Sequence, residues 1–312
     1  LMADASVPLQ VVITSYNRGR FLAHCVDTVE HCLPYAHVSI RDDESDDPET
    51  LRVLDRLEAR HTVHRAPGRG NGKHGGLYGH MQAALEAAEP DAPLMYLQDD
   101  VQVVRPVALS EISALAALFQ AEPTLGFVSP AFIPVSGKGR SPDGDFDFTP
   151  ETGMFWPEAS RRRSSGVYYS DINVCLPARL RNVGWQFARR EPECDALARQ
   201  YFRNMAIPAL PFVAWLPLVP AYRGKRKTWA LRRAEQQRNA GFHPYRMLTP
   251  ADTERLRARQ PLSPPWAEAM LTLQDAALPQ PWHHNSLQGR RWLKRLHNAE
   301  AALARWFRWG QP

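Results

Sequence analysis

The sequence predicts an α/β fold with a mostly parallel central sheet, because short apolar runs alternate with segments of helical apolar spacing over residues 9–110. Three of the four predicted strands are followed by polar turns that carry acidic or amide side chains. Ligands of open α/β sheets bind outside the carboxyl ends of their strands. These turns are therefore where a binding site is expected.

The first predicted strand, 9–13, ends in the polar turn 14–18. Asn17 is expected to cap the following helix, because Asn side chains accept hydrogen bonds from the first free N–H groups. The helix itself is predicted from apolar and cysteine residues at helical spacing, at Phe21, Leu22, Cys25, Val26, Val29, Cys32 and Leu33.

The second predicted strand, 37–40, runs into the acidic turn 41–47. Asp47 as N-cap and Pro48 in the first turn are expected to begin a helix. Its apolar face would be formed by Leu51, Leu54 and Leu57.

A third unit follows, with a strand at 62–65, a Gly-rich segment at 68–76 and a helix at 76–89. The fourth predicted strand, 94–97, is a continuous apolar run, which is typical of a buried parallel strand. Alternation of strands and helices of this length favours a doubly wound sheet.

Asp99 and Asp100 follow the fourth strand directly. Hard carboxylate oxygens suit Mg²⁺ or Mn²⁺, and such an ion would in turn bind a diphosphate. Taken alone, the pair is better explained as two solvated aspartates in a turn. Its position among the other strand-end turns favours a site.

Three motifs stand in one order: Val-Val-Ile-Thr-Ser-Tyr-Asn-Arg at 11–18, Arg-Asp-Asp-Glu-Ser-Asp-Asp at 41–47, and Gln-Asp-Asp at 98–100. This order resembles the inverting GT-A glycosyltransferases of family 2, well over 7–110 and loosely over 167–223. The resemblance implies a GT-A fold and transfer of a sugar from a nucleotide-sugar donor, with inversion, to a glycan or lipid-linked glycan. A bacterial surface polysaccharide would be the natural product class.

The resemblance also implies roles for the motif residues. The metal ion, Mn²⁺ or Mg²⁺, is assigned to Asp100. The donor nucleotide is assigned to Thr14, Tyr16, Arg18, Asp42, Asp43 and Asp99.

This chain departs from the family pattern at two places before and within the fourth strand. Gln98 stands where the family usually has an acidic residue, which leaves Asp100, supported by Asp99, to carry any metal contact. A Gly-rich segment replaces the family's Asn-rich one, and Lys73 within it either approaches the donor phosphates or lies in a plain surface loop. Gly70, Gly72 and Gly75 fit a dinucleotide fingerprint by spacing, but such a fingerprint belongs in the first βα turn, which has none. A P-loop is disfavoured by the spacing of its glycines and by His74 in place of Ser or Thr.

Inverting transfer needs a carboxylate that takes the proton of the acceptor hydroxyl. The family places this acid at the start of a helix, and the segment 191–199 resembles that pattern imperfectly, with Cys194 at one acidic position. The candidates are Glu193 and Asp195, with Asp171 considered next. The alternative is a helix N-terminus whose acids match the macrodipole.

Chain length indicates the domain organisation, and the spacing of the cysteines indicates the redox compartment. The 312 residues are many for one core, so we predict a GT-A domain over 1–225 and a helical C-terminal extension over 226–312. The cysteines show no zinc-ligand spacing and are expected to be core thiols, which fits a reducing, cytoplasmic compartment. They are Cys25, Cys32, Cys175 and Cys194.

Residues 146–163 combine aromatic side chains with the basic run Arg161-Arg162-Arg163. In the fold that the chain resembles, this region passes near the acceptor site, so the aromatic rings would offer flat faces to acceptor sugars. The basic run would meet an anionic acceptor or phosphate, or form a solvated turn. The prolines of the apolar segment 205–222 exclude a spanning helix there.

The C-terminal segment 289–312 predicts a basic amphipathic helix. Its apolar stripe comprises Trp292, Leu296, Ala299, Leu303 and Trp306, and its cations are Arg290, Arg291, Lys294, Arg295, Arg305 and Arg308. Such a helix either lies on an anionic membrane surface, at the inner face of the cytoplasmic membrane, or docks on the catalytic domain. A net charge of +5 favours an anionic partner, whereas no nucleic-acid recognition motif is present.

Two other functions stay open. A nucleotidyltransferase shares a nucleotide-binding α/β sheet but should carry a Gly-rich loop directly after its first strand, where this chain has Thr14-Ser15-Tyr16-Asn17. A degenerate, non-catalytic homologue that binds glycan or scaffolds a synthase is suggested by Gln98 and Cys194.

Overall fold

The computed structural model describes residues 8–66, 76–134, 145–158, 166–260, 263–275 and 278–309. The strands are β1 (Gln10–Ser15), β2 (His37–Asp42), β3 (Thr62–Arg65), β4 (Leu94–Gln98), β5 (Val101–Val103), β6 (Phe146–Thr149), β7 (Met154–Pro157), β8 (Asn173–Cys175), β9 (Ile207–Pro208) and β10 (Val213–Trp215). The helices are α1 (Gly19–Cys32), α2 (Pro48–Leu57), α3 (Leu77–Ala87), α4 (Leu109–Ala121), α5 (Pro177–Asn182), α6 (Glu191–Tyr201), α7 (Trp229–Gln237), α8 (Pro250–Ala258), α9 (Ala267–Met270) and α10 (Arg291–Trp309).

The central sheet has the strand order β3-β2-β1-β4-β8. β1 runs parallel to β2 and β4, β2 runs parallel to β3, and only β8 is antiparallel to its neighbour. The predicted fold class, α/β with a mostly parallel sheet and a helical C-terminal part, is therefore confirmed. The register pairs Ser15 with Asp42 and Thr14 with Gln98, which brings the ends of three strands to one edge.

Two smaller sheets extend this edge. β5 follows the Asp99-Asp100 turn and pairs with β10, and β6, β7 and β9 form an antiparallel sheet. Through the pairing of β5 with β10, the end of β4 lies next to a segment from much later in the chain.

The turn after β1 differs from its prediction. Asn17 does not cap α1, because Arg18 occupies the N-cap position and makes no side-chain capping bond. Asn17 has a φ of 50° and is 1% exposed, and its side chain instead bonds the acidic turn after β2. Asp47 does cap α2 as predicted, since its carboxylate accepts a hydrogen bond from the backbone N–H of Thr50.

α1 and α2 meet at Gly19, the first residue of α1. A Cβ at this position would lie 2.7 Å from the backbone nitrogen of Thr50, which is closer than any side chain can approach. The Gly19 N–H also bonds the Thr50 hydroxyl at 2.9 Å. The contact fixes the two strand-end turns relative to each other, because each helix begins at one of them.

The residues after 226 share a core with the first part of the chain. Leu248, Leu256, Leu271 and Trp282 pack in one buried cluster with Phe21, and further members from the first part are Val104, Phe132, Leu216 and Leu218. The extension therefore covers the edge of the sheet where the strand ends lie. Among the described residues, every helix is either too short or too polar to cross a bilayer.

The four cysteines are buried free thiols, as predicted. Burial is the main factor that raises the pKa of each thiol, so none is prone to ionise. They are packing residues of the core.

Candidate active site

The ends of β1 and β4 are joined through Asp99. Its backbone N–H donates to the Thr14 carbonyl at 3.0 Å, and its carboxylate accepts the Tyr16 N–H at 3.2 Å. Asp99 is 3% exposed, and burial is the main reason that its pKa rises to about 6. The predicted residues Thr14, Tyr16 and Asp99 thus form one continuous strand-end wall.

Arg18 spans the two aspartates of this wall. Its Nη1 lies 3.2 Å from Asp99 Oδ1 and 3.0 Å from Asp100 Oδ2. One guanidinium therefore compensates two buried carboxylates, which would otherwise be costly to ionise side by side. Tyr16 packs edge-on against Tyr222 with ring centroids 4.8 Å apart, beside this cluster.

Asp100 keeps one oxygen for another partner. Within the described part of the chain, Asp100 Oδ1 is buried without a hydrogen-bond partner, while Oδ2 lies 3.8 Å from His284 Nε2. An unsatisfied carboxylate oxygen next to an imidazole is a donor set that suits Mn²⁺ or Mg²⁺, which bind one or two carboxylates together with substrate phosphates and water. The described residues contain no group of three His, Cys, Asp or Glu side chains that alone could hold an ion.

The two acids after β2 differ in their surroundings. Asp42 is 1% exposed, and both its oxygens accept hydrogen bonds from Ser45, one from the backbone N–H and one from the hydroxyl. Asp43 is partly exposed and accepts the Gly76 N–H at 2.8 Å, with His80 Nε2 3.4 Å away. Asp42 braces its own turn, whereas Asp43 faces the start of α3.

A cavity of about 490 Å³ opens next to this wall. Its polar lining includes Gln98, Ser170, Asp171, Glu191 and His284. The aromatic side chains of the lining are Phe132, Trp215, Tyr245 and Trp282. Trp282 Nε1 is buried without a hydrogen-bond partner among the described residues.

Asp171 and Glu191 form a partly buried carboxylate pair in the cavity wall. The Asp171 N–H donates to Glu191 Oε1 at 3.2 Å, and the Tyr78 hydroxyl lies 3.1 Å from both carboxylate oxygens of Asp171. Burial, followed by the charge of Glu191, raises the pKa of Asp171 to about 7. Burial also raises the pKa of Glu191. Asp171 therefore titrates near neutral pH.

The structure does not bring Glu193 or Asp195 to the cavity. Glu193 is 39% exposed and accepts hydrogen bonds from Arg190, including one of 2.8 Å from Nε. Asp195 Oδ1 lies within 3.0 Å of four consecutive backbone nitrogens, those of 166–169, and so anchors the loop before β8.

Sequence reasoning missed Glu191 and His284. Glu191 lies in the same acidic segment as Glu193, but the resemblance pointed to Glu193 and Asp195. His284 stands in a segment with no recognisable motif, and only the packing of the extension brings it to Asp100. Lys73 and Arg161-Arg162-Arg163 lie outside the described residues.

No protein-family model matches the chain, and no curated protein matches its sequence. Solved structures resemble it at low identity. S. aureus TarS 1-349 in complex with UDP is 14% identical with a TM-score of 0.44, over 66% of this chain and 59% of that one. The mannosyltransferase PcManGT from Pyrobaculum calidifontis, in complex with GDP-Man and Mn²⁺, is 14% identical with a TM-score of 0.40, over 95% and 74%.

Glucosyl-3-phosphoglycerate synthase from Mycobacterium tuberculosis, in complex with Mn²⁺, UDP and glucosyl-3-phosphoglycerate, is 15% identical with a TM-score of 0.30, over 42% of this chain and 46% of that one. This chain spans about 60% of the length of TarS 1-349 and 42% of the longer TarS chain. With TM-scores below 0.5, these likenesses decide neither donor, acceptor nor mechanism.

Proposed function

We propose that the protein is a GT-A glycosyltransferase that moves a sugar from a nucleotide-sugar donor to a glycan or lipid-linked glycan, with inversion. One observation carries the proposal: the partly buried pair Asp171 and Glu191 lines the same cavity as His284, which lies 3.8 Å from Asp100. The cavity lining would thus supply a proton acceptor and, through His284, lie beside a carboxylate that would bind a cation. Inverting transfer needs the base on the face of the anomeric carbon opposite the leaving group.

The carboxylate pair would act as the general base. As the acceptor oxygen attacks the anomeric carbon, its proton passes to the pair, and the bond to the diphosphate oxygen breaks with its electrons on the nucleotide. A base is most effective when its pKa lies near the working pH, and burial brings Asp171 there. Tyr78, which donates to Asp171, would hold the carboxylate in position.

The strand-end wall would bind the donor. Asp43 follows β2 and Tyr16 follows β1, and the base and the ribose of the donor would lie there. Arg18 would bind a donor phosphate once a cation neutralises Asp99 and Asp100 in its place. Asp100 and His284 would hold a divalent cation, which when bound neutralises charge on the leaving diphosphate.

The aromatic part of the cavity lining would bind the acceptor. Trp215, Tyr245 and Trp282 present aromatic faces, and Tyr245 and Trp282 lie with ring centroids 5.4 Å apart. Aromatic faces pack on the C–H faces of sugar rings, and the unpaired Trp282 indole N–H would bond a sugar oxygen. The extension would then contribute to acceptor choice.

The proposal is tested by incubating the protein with a panel of nucleotide sugars, with Mn²⁺, Mg²⁺ or EDTA, and with or without oligosaccharide acceptors. We expect nucleoside diphosphate release that an acceptor stimulates, and NMR of the product should show inverted anomeric configuration. Formation of a nucleotide sugar from a nucleoside triphosphate and a sugar phosphate would indicate a nucleotidyltransferase instead. Nucleotide binding without turnover of any donor would indicate the non-catalytic homologue.

A further inference from the structure

The helix pair α7 and α10 carries most of the strongly exposed large apolar side chains of the described residues. Such side chains are Leu109, Tyr201, Trp229, Trp292 and Leu303. Three of these belong to α7 and α10, and Trp292 is 67% exposed. We propose that the outer face of this pair, formed by Trp229, Trp292 and Leu303 with the cations Arg232, Arg233, Arg291 and Arg295, binds an anionic phospholipid surface.

The two helices pack antiparallel. Leu293 near the start of α10 packs against Ala230 and Ala234 of α7, and Thr228 before α7 bonds His297 at 2.8 Å. Glu300, further along α10, accepts the Ala230 N–H at 3.0 Å. These contacts use one face of α10, so the helix is docked on the protein through that face.

Part of the predicted apolar stripe lies on a different face of the same helix, whereas Leu296 packs against the docked cluster. Trp292, Ala299 and Leu303 follow one another at helical spacing and lie about a quarter turn from the docked face. All three are exposed. Because the two helices are antiparallel, this face of α10 points the same way as the outer face of α7. Trp229 on that face of α7 is 52% exposed. Docking and an outward apolar stripe are therefore compatible.

The charges of the pair favour an anionic surface. Each helix contains a single acidic residue, and both are used within the protein: Glu235 bonds Lys227 at 2.6 Å, and Glu300 bonds the start of α7. On the described side chains of α7 and α10, the exposed charges are all cations. Two copies of such a face would oppose cations to cations across a twofold axis, which disfavours self-association.

Tryptophan and arginine together match the boundary between lipid headgroups and acyl chains. The indole ring places apolar area at the boundary and keeps its N–H among headgroups, while guanidinium groups meet lipid phosphates. Each cation near an anionic leaflet adds to the attraction, and added salt screens it.

The test is sedimentation with vesicles of phosphatidylcholine, either alone or mixed with phosphatidylglycerol. We expect binding to the mixed vesicles only, and weaker binding at high salt. The triple variant Trp229→Ser, Trp292→Ser, Leu303→Ser should lose at least about tenfold in affinity. The double variant Arg232→Gln, Arg233→Gln should lose about 30-fold. The matched control is Leu109→Ser, Tyr201→Ser, which removes equally exposed apolar groups elsewhere and should bind like wild type.

Circular dichroism and the melting temperature of each variant verify folding, so a loss of binding is not confused with unfolding. Equal binding to both vesicle types, or undiminished binding of the folded triple variant, would overturn the proposal. So would a concentration-dependent dimer that the triple variant abolishes, since the face would then be covered by a second copy. None of these outcomes depends on sugar-transfer activity.

Discussion

Asp171 and Glu191 are close enough that both cannot readily be ionised at once. The neighbouring carboxylate and the low-dielectric surroundings each favour one bound proton, while Tyr78 and the Asp171 N–H stabilise the remaining charge. In its deprotonated form the pair can take up a proton from an acceptor hydroxyl, which reduces its negative charge by one, and later release that proton to solvent.

Replacing either member should therefore remove catalysis more than binding. We expect Glu191→Gln or Asp171→Asn to lower kcat by about 10² to 10⁴, the usual share of a general base, with donor affinity kept. The matched control is Glu193→Gln, two residues away on the same helix, which should retain activity because its side chain bonds Arg190 outside the cavity. If Glu193→Gln is the inactive variant instead, the base assignment moves back to the family position.

The pH dependence of turnover should follow the same pair. The base works only when deprotonated, and the pKa of Asp171 is raised to about 7, so kcat/KM should rise as pH increases through about 7 and then level off. Tyr78→Phe removes a hydrogen bond that lowers this pKa, so the rise should move to higher pH. A midpoint that stays in place in Tyr78→Phe would show that another group controls the profile.

Stability should respond in the opposite direction. The carboxyl of Asp171 has an ordinary pKa of 3.8 when unfolded and about 7 when folded, so the folded state binds the extra proton between these values. Folding is then destabilised progressively as pH rises through this window. We expect Asp171→Asn to raise the melting temperature relative to wild type at about pH 8, and to change it less near about pH 5. A constant difference at both pH values would contradict the shift.

Single residues also mark the limit of prediction from this sequence. The strand-end acids could be predicted because they follow apolar runs directly in the chain. The orientation of Glu193 could not, since a shift of two residues at the start of a helix turns a side chain from the cavity to solvent. Glu191 instead faces Asp171, and that contact depends on how α6 packs on β8.

Among the elements, the turns after β1 and β2 form one unit through Asn17. Its side-chain nitrogen donates to Asp46 at 2.7 Å and to the Arg223 carbonyl at 3.1 Å, and its oxygen accepts the N–H groups of Asp46 and Asp47. A cap prediction considers only the next helix. It could not anticipate bonds to a turn 30 residues away in sequence or to a loop beyond 220.

We expect Asn17→Ala to reduce the free energy of unfolding by on the order of 3 kcal/mol, because buried N–H and carbonyl groups lose their partners. Donor KM should rise as well, since Asn17 separates Tyr16 from Arg18. Asn17→Gly removes the same bonds but accepts the φ of 50° without strain, so it should be about 1 kcal/mol more stable than Asn17→Ala. Urea unfolding of both variants measures the difference. Equal stability of the two would show that the backbone relaxes there.

For the whole molecule, the extension after 226 is more than an appendage to the sheet. It shares a buried cluster with Phe21 and supplies Tyr245, Trp282 and His284 to the cavity wall. Composition predicted a helical extension and a basic amphipathic helix, but not a contribution to the site, because contacts between 284 and 100 leave no local pattern. The backbone bond from the Leu218 N–H to the His283 carbonyl, at 2.7 Å, holds this segment against the core.

The contribution of the extension to the cation site can be measured through His284, by Mn²⁺ affinity and without turnover. If its imidazole and Asp100 hold the divalent cation together, His284→Ala should weaken Mn²⁺ binding in the presence of nucleoside diphosphate by at least about tenfold, since even an outer partner of a metal ligand commonly contributes that much. Electron paramagnetic resonance of free Mn²⁺ reports this directly. His283→Ala, which removes the neighbouring imidazole from the same cavity wall, should bind Mn²⁺ like wild type. Asp100→Asn should lose more than His284→Ala, since it removes the charged ligand. Wild-type Mn²⁺ affinity in His284→Ala would instead mean that the extension lines the cavity but that only the strand-end residues bind the cation.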